Sequence, residues 1–274
     1  MIVSDILRGL LGKTTPTQIP VFQIPSIRHY MDSLAQELID EIINHIPTED
    51  LPASCLVARR WRHRSQQRYF EYVLFHFRDS GLWEKNIPQH PDGIPACVRH
   101  LWLQLILPSP DLEVFDRVLK TFRSMVSLTM FRTGFPHPDR LAGLASLGEF
   151  GRGLRRLAFV RVYAHSFADF ASLIFSLPNL KELVINRILF TSYKLPAIPP
   201  DTWQRGPLES LFVLGAPMSI PEALSRCGLT SHTLWLDPSD EGIEAFVTSS
   251  SATIVELRFI GMQPIQAFGQ KNPY

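Results

Sequence analysis

Residues 180 to 185 read Leu180-Lys181-Glu182-Leu183-Val184-Ile185, an apolar-x-x-Leu-x-apolar phrase that returns along most of the chain. It stands again at Val98-Arg99-His100-Leu101-Trp102-Leu103, Met125-Val126-Ser127-Leu128-Thr129-Met130 and Leu154-Arg155-Arg156-Leu157-Ala158-Phe159. Two further copies are Leu208-Glu209-Ser210-Leu211-Phe212-Val213 and Ile254-Val255-Glu256-Leu257-Arg258-Phe259; a seventh, Ser231-His232-Thr233-Leu234-Trp235-Leu236, lacks the first apolar position. The central residues Leu101, Leu128, Leu157, Leu183, Leu211, Leu234 and Leu257 follow one another at intervals of 23 to 29 residues. Alternation with period two marks a short strand with its leucine on one face. One strand and one return segment cannot enclose a core, whereas stacked copies bury the repeated leucines in a column. The spacing therefore predicts an α/β fold with a parallel sheet.

The interval lies in and around the range of about 20 to 29 residues typical of leucine-rich repeats, which this array resembles. Residues 76–274 are expected to form an irregular leucine-rich repeat solenoid with the parallel sheet on its concave face. Asp111 to Phe122, Phe167 to Leu177 and Gly242 to Thr248 have helical spacing and are expected to return the chain, while the proline-rich 186–207 connection is expected to be extended. The asparagine that closes a regular repeat of this kind is replaced by Ile106, Thr133, Val162 and Ile188, so no asparagine ladder can form. With the leucines inward, alternation sends Trp102, Thr129, Ala158, Val184, Phe212, Trp235 and Arg258 to the opposite face. Exposed aromatic and arginine side chains are typical of binding hot spots. That row is the candidate substrate-binding surface; the alternative is that loops or the N-terminal extension cover some of its aromatics.

Upstream of the repeats the periodicity changes. Residues 1–30 contain Pro16, Pro20 and Pro25 and read as a loosely ordered extension, and Met31 stands just before the patterned chain. Residues 31–75 read as a helical module. Ser33 with Gln36 forms a capping-box pattern, and Leu38, Ile39, Ile42, Ile43 and Ile46 mark one stripe ended by Pro47. Thr48, Glu49 and Asp50 suit a second N-terminus, leading through Leu51 to Trp61, and a third short helix is expected over residues 62–70. Arg59, Arg60, Arg62, Arg64 and Arg68 are read as a solvated face in preference to a nucleic-acid patch.

The order Leu34-Ala35-Gln36-Glu37-Leu38 with Ile42, then Leu51, then Leu56-Val57 and Trp61, resembles the F-box, and the whole chain resembles the F-box and leucine-rich repeat-like proteins of fungi, especially basidiomycetes. Ala35 stands where that family usually has proline, and Pro52 with Ala53 where it has larger apolar residues. The resemblance implies a substrate-recognition adaptor subunit: the helices would bind the Skp-type adaptor of a cullin-RING ubiquitin ligase through Leu34, Ala35, Leu38, Ile42, Leu51, Val57 and Trp61. The repeats would hold an unidentified protein substrate. Other readings stay open, a helical cap on the array and a leucine-rich scaffold not coupled to ubiquitination, with a hydrolase a distant third.

Lys+Arg number 27 and Asp+Glu 26, a net charge of +1, so no global field draws the chain to nucleic acid or to an anionic membrane. Cys55, Cys97 and Cys227 form no CxxC pair and no disulfide framework, no apolar run is long enough to span a bilayer, and the chain reads as intracellular. Nucleophile elbows, dinucleotide and phosphate-binding glycine loops and zinc-peptidase motifs are absent from the sequence. No catalytic residue, cofactor or metal is expected, and Cys55 reads as a small core residue.

Overall fold

The computed structural model describes residues 34–76, 93–104, 118–131, 153–192, 206–215, 220–237 and 243–259. The extension 1–30 lies outside them, as does most of the helix expected from Asp111, of which residues 118–121 are helical. Among the described residues no helix is long and apolar enough to cross a membrane.

Helix α1 spans Gln36–His45 and starts later than the capping-box pattern predicts. Its N-cap is Ala35, extended at φ −60° and ψ 146°, with no side-chain cap. Gln36 instead turns its amide to Asp40, Nε2 to Oδ1 at 2.8 Å, so it does not reach back as a box residue would. The helix stops at Ile46, before Pro47, because proline lacks the N–H and biases the preceding residue out of helical conformation. A 3-10 turn over Thr48–Asp50 leads into α2, Leu51–Ser54, with Pro52 in its first turn, where a missing N–H costs nothing. The chain then breaks, and α3 runs over Arg59–Tyr69, three residues earlier than expected.

The three helices enclose a core of Ile39, Ile43, Leu51 and Trp61, with Leu34, Ile46, Ala58 and Tyr69 packed on its rim. Fully burying an aliphatic side chain contributes roughly 1.5–3 kcal/mol, so a four-residue core is small and every member counts. Ser54 and Ser65 are buried in it together, their Oγ atoms 2.8 Å apart, with Ser54 Oγ also 2.7 Å from the Leu51 carbonyl oxygen. Of the five arginines expected on a solvated face, Arg59, Arg60 and Arg62 are exposed, while Arg60, Arg64 and Arg68 also tie α3 to α1 and to the chain just before it. Arg60 Nη1 donates to the Leu34 carbonyl at 2.8 Å and Arg64 Nη2 to Asn44 Oδ1 at 2.7 Å. Arg68 Nη1 donates to the carbonyls of Ile43 and Ile46 at the end of α1, where the Ile43 carbonyl also accepts the Ile46 N–H at 3.2 Å.

Among the described residues eight parallel strands form one sheet. They are β1 Tyr72–His76, β2 His100–Gln104, β3 Ser127–Phe131, β4 Arg156–Val160, β6 Glu182–Asn186, β8 Leu208–Leu214, β9 Ser231–Leu236 and β10 Glu256–Phe259. Their spatial order follows the chain, with β5 (Tyr163–Ser166) and β7 (Leu189–Ser192) set aside as a second, two-stranded parallel sheet. The seven central leucines stand in one register row: Leu101 pairs with Leu128, Leu128 with Leu157, and so on through Leu183, Leu211 and Leu234 to Leu257. Val73 of β1 pairs with Leu101 and Phe75 with Leu103, which makes Phe70 to Phe75 an eighth copy of the phrase with valine in the leucine position. The expected division between residues 75 and 76 therefore falls inside the first strand of the sheet.

Helices α4 (Ile94–Cys97), α5 (Phe167–Phe175), α6 (Ile220–Arg226) and α7 (Ile243–Ser250) intervene between strands. Leu101, Leu128, Leu157, Leu183, Leu211 and Leu234 are buried, together with the residue two positions on in each strand. Leu257 departs from this: it and Phe259, 56% exposed, lie on β10, the last strand of the sheet among the described residues. Helix α5 is well defined because Ser166 Oγ accepts from the Ala168 N–H at 3.1 Å and the Asp169 N–H at 3.4 Å, an N-cap, and because Phe167 and Phe170 pack edgewise on Phe190 at 5.4 Å. In place of an asparagine ladder, Val162 and Ile188 are fully buried where the array turns out of β4 and β6. Each exit uses a left-handed residue, Arg161 and Arg187 at φ 55° and Gly215 at φ 53° after β8. The N–H of Arg161 donates to Asn186 O at 2.7 Å, and that of Arg187 to Leu214 O at 2.9 Å, so neighbouring turns are tied in step.

Candidate functional site

Two surfaces carry the residues singled out in the sequence. On the helical unit, a 10-residue amphipathic helix with adjacent apolar positions must choose which of them to bury. Ile39 and Ile43, one turn apart, face α3; Leu38 and Ile42, rotated from them, are 55% and 40% exposed. The single stripe expected from Leu38 to Ile46 is thus two stripes, one structural and one outward. After α2 the chain leaves Leu56 82% exposed and Val57 about half exposed in the connection to α3.

The proposed adaptor contacts divide accordingly. Ala35, Leu38, Ile42 and Val57 are exposed, and Leu34 is half-buried on the rim of the core. Leu51 and Trp61 are a correction, because both are closed inside the helical unit and present no contact surface. Their burial has a physical reason: with Tyr69 only on the rim, they are the large apolar side chains of α2 and α3 that close over Ile39 and Ile43. Leu56, the most exposed apolar residue of the unit, belongs with the outward set. Its position beside Val57, away from any i to i+4 apolar partner, was the available signal.

The second surface is the sheet face opposite the leucines. Trp102, Val184, Phe212 and Trp235 are partly exposed there and Arg258 is exposed. Thr129 and Ala158 are the corrections, each almost fully buried. They are the smallest side chains of the row, paired in register between Trp102 and Val184, and Phe131 of the same face meets the Trp102 ring edge-on at 6.4 Å. At the other end Phe212 stacks on Trp235 at 5.3 Å, and the Arg258 guanidinium lies 4.5 Å from the centre of the Trp235 ring. This gives a continuous aromatic and cationic ladder across β8, β9 and β10. An Arg156 to Glu182 ion pair at 2.8 Å occupies the neighbouring row between β4 and β6.

Near the first strand Tyr72 stacks flat on His100, rings 4.3 Å apart. Burial lowers the pKa of His100 below the usual histidine value; Glu71 opposes this and Arg156 and Arg99 reinforce it. The three cysteines are unpaired, and burial pushes each thiol up, Cys227 to about 11. For Cys55 and Cys97 this is the opposite of what a thiolate nucleophile needs. Among the described residues no group of three His, Cys, Asp or Glu could hold a metal ion. No protein-family model matches the chain, and no curated protein matches it.

Proposed function

We propose that the chain is a substrate-recognition adaptor subunit of a Skp-cullin-F-box type ubiquitin ligase, with the helical unit as an F-box and the following chain as an irregular leucine-rich repeat solenoid. The observation that carries this reading is the outward apolar set Leu38, Ile42, Leu56 and Val57, which the unit's own core does not use. A 40-residue unit that exposes such side chains while burying another set just as apolar has a face left over for a partner. The partner is the Skp-type adaptor, and through it a cullin-RING ligase.

The repeat reading is supported by the register row of leucines and by strand order that follows chain order. On it, the Phe212, Trp235 and Arg258 ladder is where a protein substrate docks, held near the ligase's charged donor enzyme so that its effective concentration rises. The transfer chemistry belongs to the partners. Pull-down of the full chain with a Skp-type adaptor tests this, beside Leu38→Asp and Val57→Asp variants. Binding that both variants abolish is the expected result; an intact chain that captures no adaptor would sink the ligase reading and leave an uncoupled repeat scaffold. Trp235→Ala should weaken capture of proximity-labelled candidate substrates and leave adaptor binding unchanged.

A further inference from the structure

Where the helical unit meets the first strands there is a cavity of about 250 Å³ lined by Asn44, Arg64, Gln67, Arg68, Glu71, Ala96, Cys97 and Arg99. Three guanidiniums and one carboxylate leave its wall with two excess positive charges. The arginines come from different elements. Arg64 and Arg68 lie one turn apart on α3, whereas Arg99 directly precedes β2, its backbone N–H donating to Glu71 O at 3.0 Å. Each of the three spends one arm on the fold: Arg64 on Asn44, Arg68 on the end of α1, and Arg99 on the Ser124 carbonyl at 3.0 Å. None of the three has a carboxylate within ion-pair distance among the described residues. Arg64 Nε is closed from solvent and has no acceptor among the described residues.

Three guanidiniums against the single Glu71 carboxylate leave like charge that is only partly compensated and repels, so this cavity is an incomplete arrangement. We propose that it is a binding site for a phosphoryl group in its dianionic form. The charge matches the excess of two. The planar forks of Arg64, Arg68 and Arg99 suit tetrahedral oxygens, and Gln67 and Asn44 add amide groups to the same wall. With about 30 Å³ for each water in the liquid, the cavity has room for the phosphoryl group and the short stem that carries it. Because helical unit and sheet both contribute, an occupant would hold one against the other. This assignment stands apart from the ligase reading, since it uses none of the outward apolar residues.

The test is thermal unfolding of the full chain titrated with inorganic phosphate, and separately with phosphoserine against serine, at ionic strength fixed with chloride. A saturable rise in the midpoint is expected, because a ligand of the folded state stabilises it. Arg64→Gln and Arg99→Gln, from two walls, should each weaken the apparent affinity about tenfold or more, the loss of one charge-assisted bond. Their far-UV spectra and unliganded midpoints establish that they fold. Equal response to phosphate and phosphoserine supports a free-ion site, and tighter phosphoserine supports a site for a phosphorylated side chain. A midpoint that ignores both probes, tracks ionic strength alone, or shifts equally in the folded variants overturns the assignment.

Discussion

Ile43→Ala and Leu38→Asp are five positions apart on one short helix, and the structure assigns them opposite consequences. Ile43 is fully buried in a core of four, so its truncation removes most of an aliphatic side chain and leaves a cavity, at a cost of about 2–5 kcal/mol. Leu38 is more than half exposed and sits in the first turn of α1, where an aspartate faces the positive end of the helix dipole. Its lower helix propensity and that favourable charge offset each other, leaving about 0.5 kcal/mol or less. Native-state hydrogen exchange reads the two directly. In Ile43→Ala the amides of α1 and α3 should exchange about 30-fold faster or more, the lower bound being 2 kcal/mol expressed as an equilibrium constant, with β4, β6 and β8 unchanged. In Leu38→Asp the protection of α1 should stay within a factor of about three of the parent chain. Equal deprotection by both substitutions would refute the division of α1 into a structural and an outward stripe. The proposed docking face would fall with it.

Ala35 already holds φ −60°, and no described hydrogen bond uses its N–H, so Ala35→Pro should raise stability in urea by about 0.4–1 kcal/mol; destabilisation would mean that Leu34 cannot take the conformation a following proline demands. Gly215→Ala forces a side chain onto a φ of +53° and sets its Cβ 3.2 Å from Arg187 Cγ, for an expected loss of about 1–2 kcal/mol in the same assay; no loss would show that β8 is not left by a left-handed residue. Burial raises Cys227 from 9.0 to about 11, so between these values the unfolded thiol ionises first and the native state loses relative stability. That contribution is whole below pH 9 and disappears as pH rises toward 11, so the stability difference between the parent chain and Cys227→Ala should shift over this range, and a constant difference would contradict the buried thiol.

What could be read from the sequence follows from which signals are one-dimensional. The leucine row was legible because a strand's alternation and the interval between strands are both properties of the chain order, and the register needs only that each Leu stack on the last. Val73 escaped because a valine in the leucine position breaks the phrase without breaking the strand, and because Phe70 to Phe75 abuts a helix whose own pattern claims the same residues. The second sheet of β5 and β7 escaped for a similar reason: four-residue strands beginning Tyr163-Ala164 and Leu189-Phe190 carry too few alternations to register. Burial within a row is a different matter, since Thr129 and Ala158 share the face of Trp102 and Trp235 and differ only in being overtopped by larger neighbours. Likewise Leu51 and Trp61 resemble a docking motif by their order, yet α2 is one turn long and α3 is mostly polar, so these two side chains, with Tyr69 on the rim, are what closes the helical core. A motif residue in so small a unit is held by two demands, and where the core has only four members the demand of folding takes precedence. Contact surface is then left to the residues the core can spare, which are Leu38, Ile42, Leu56 and Val57.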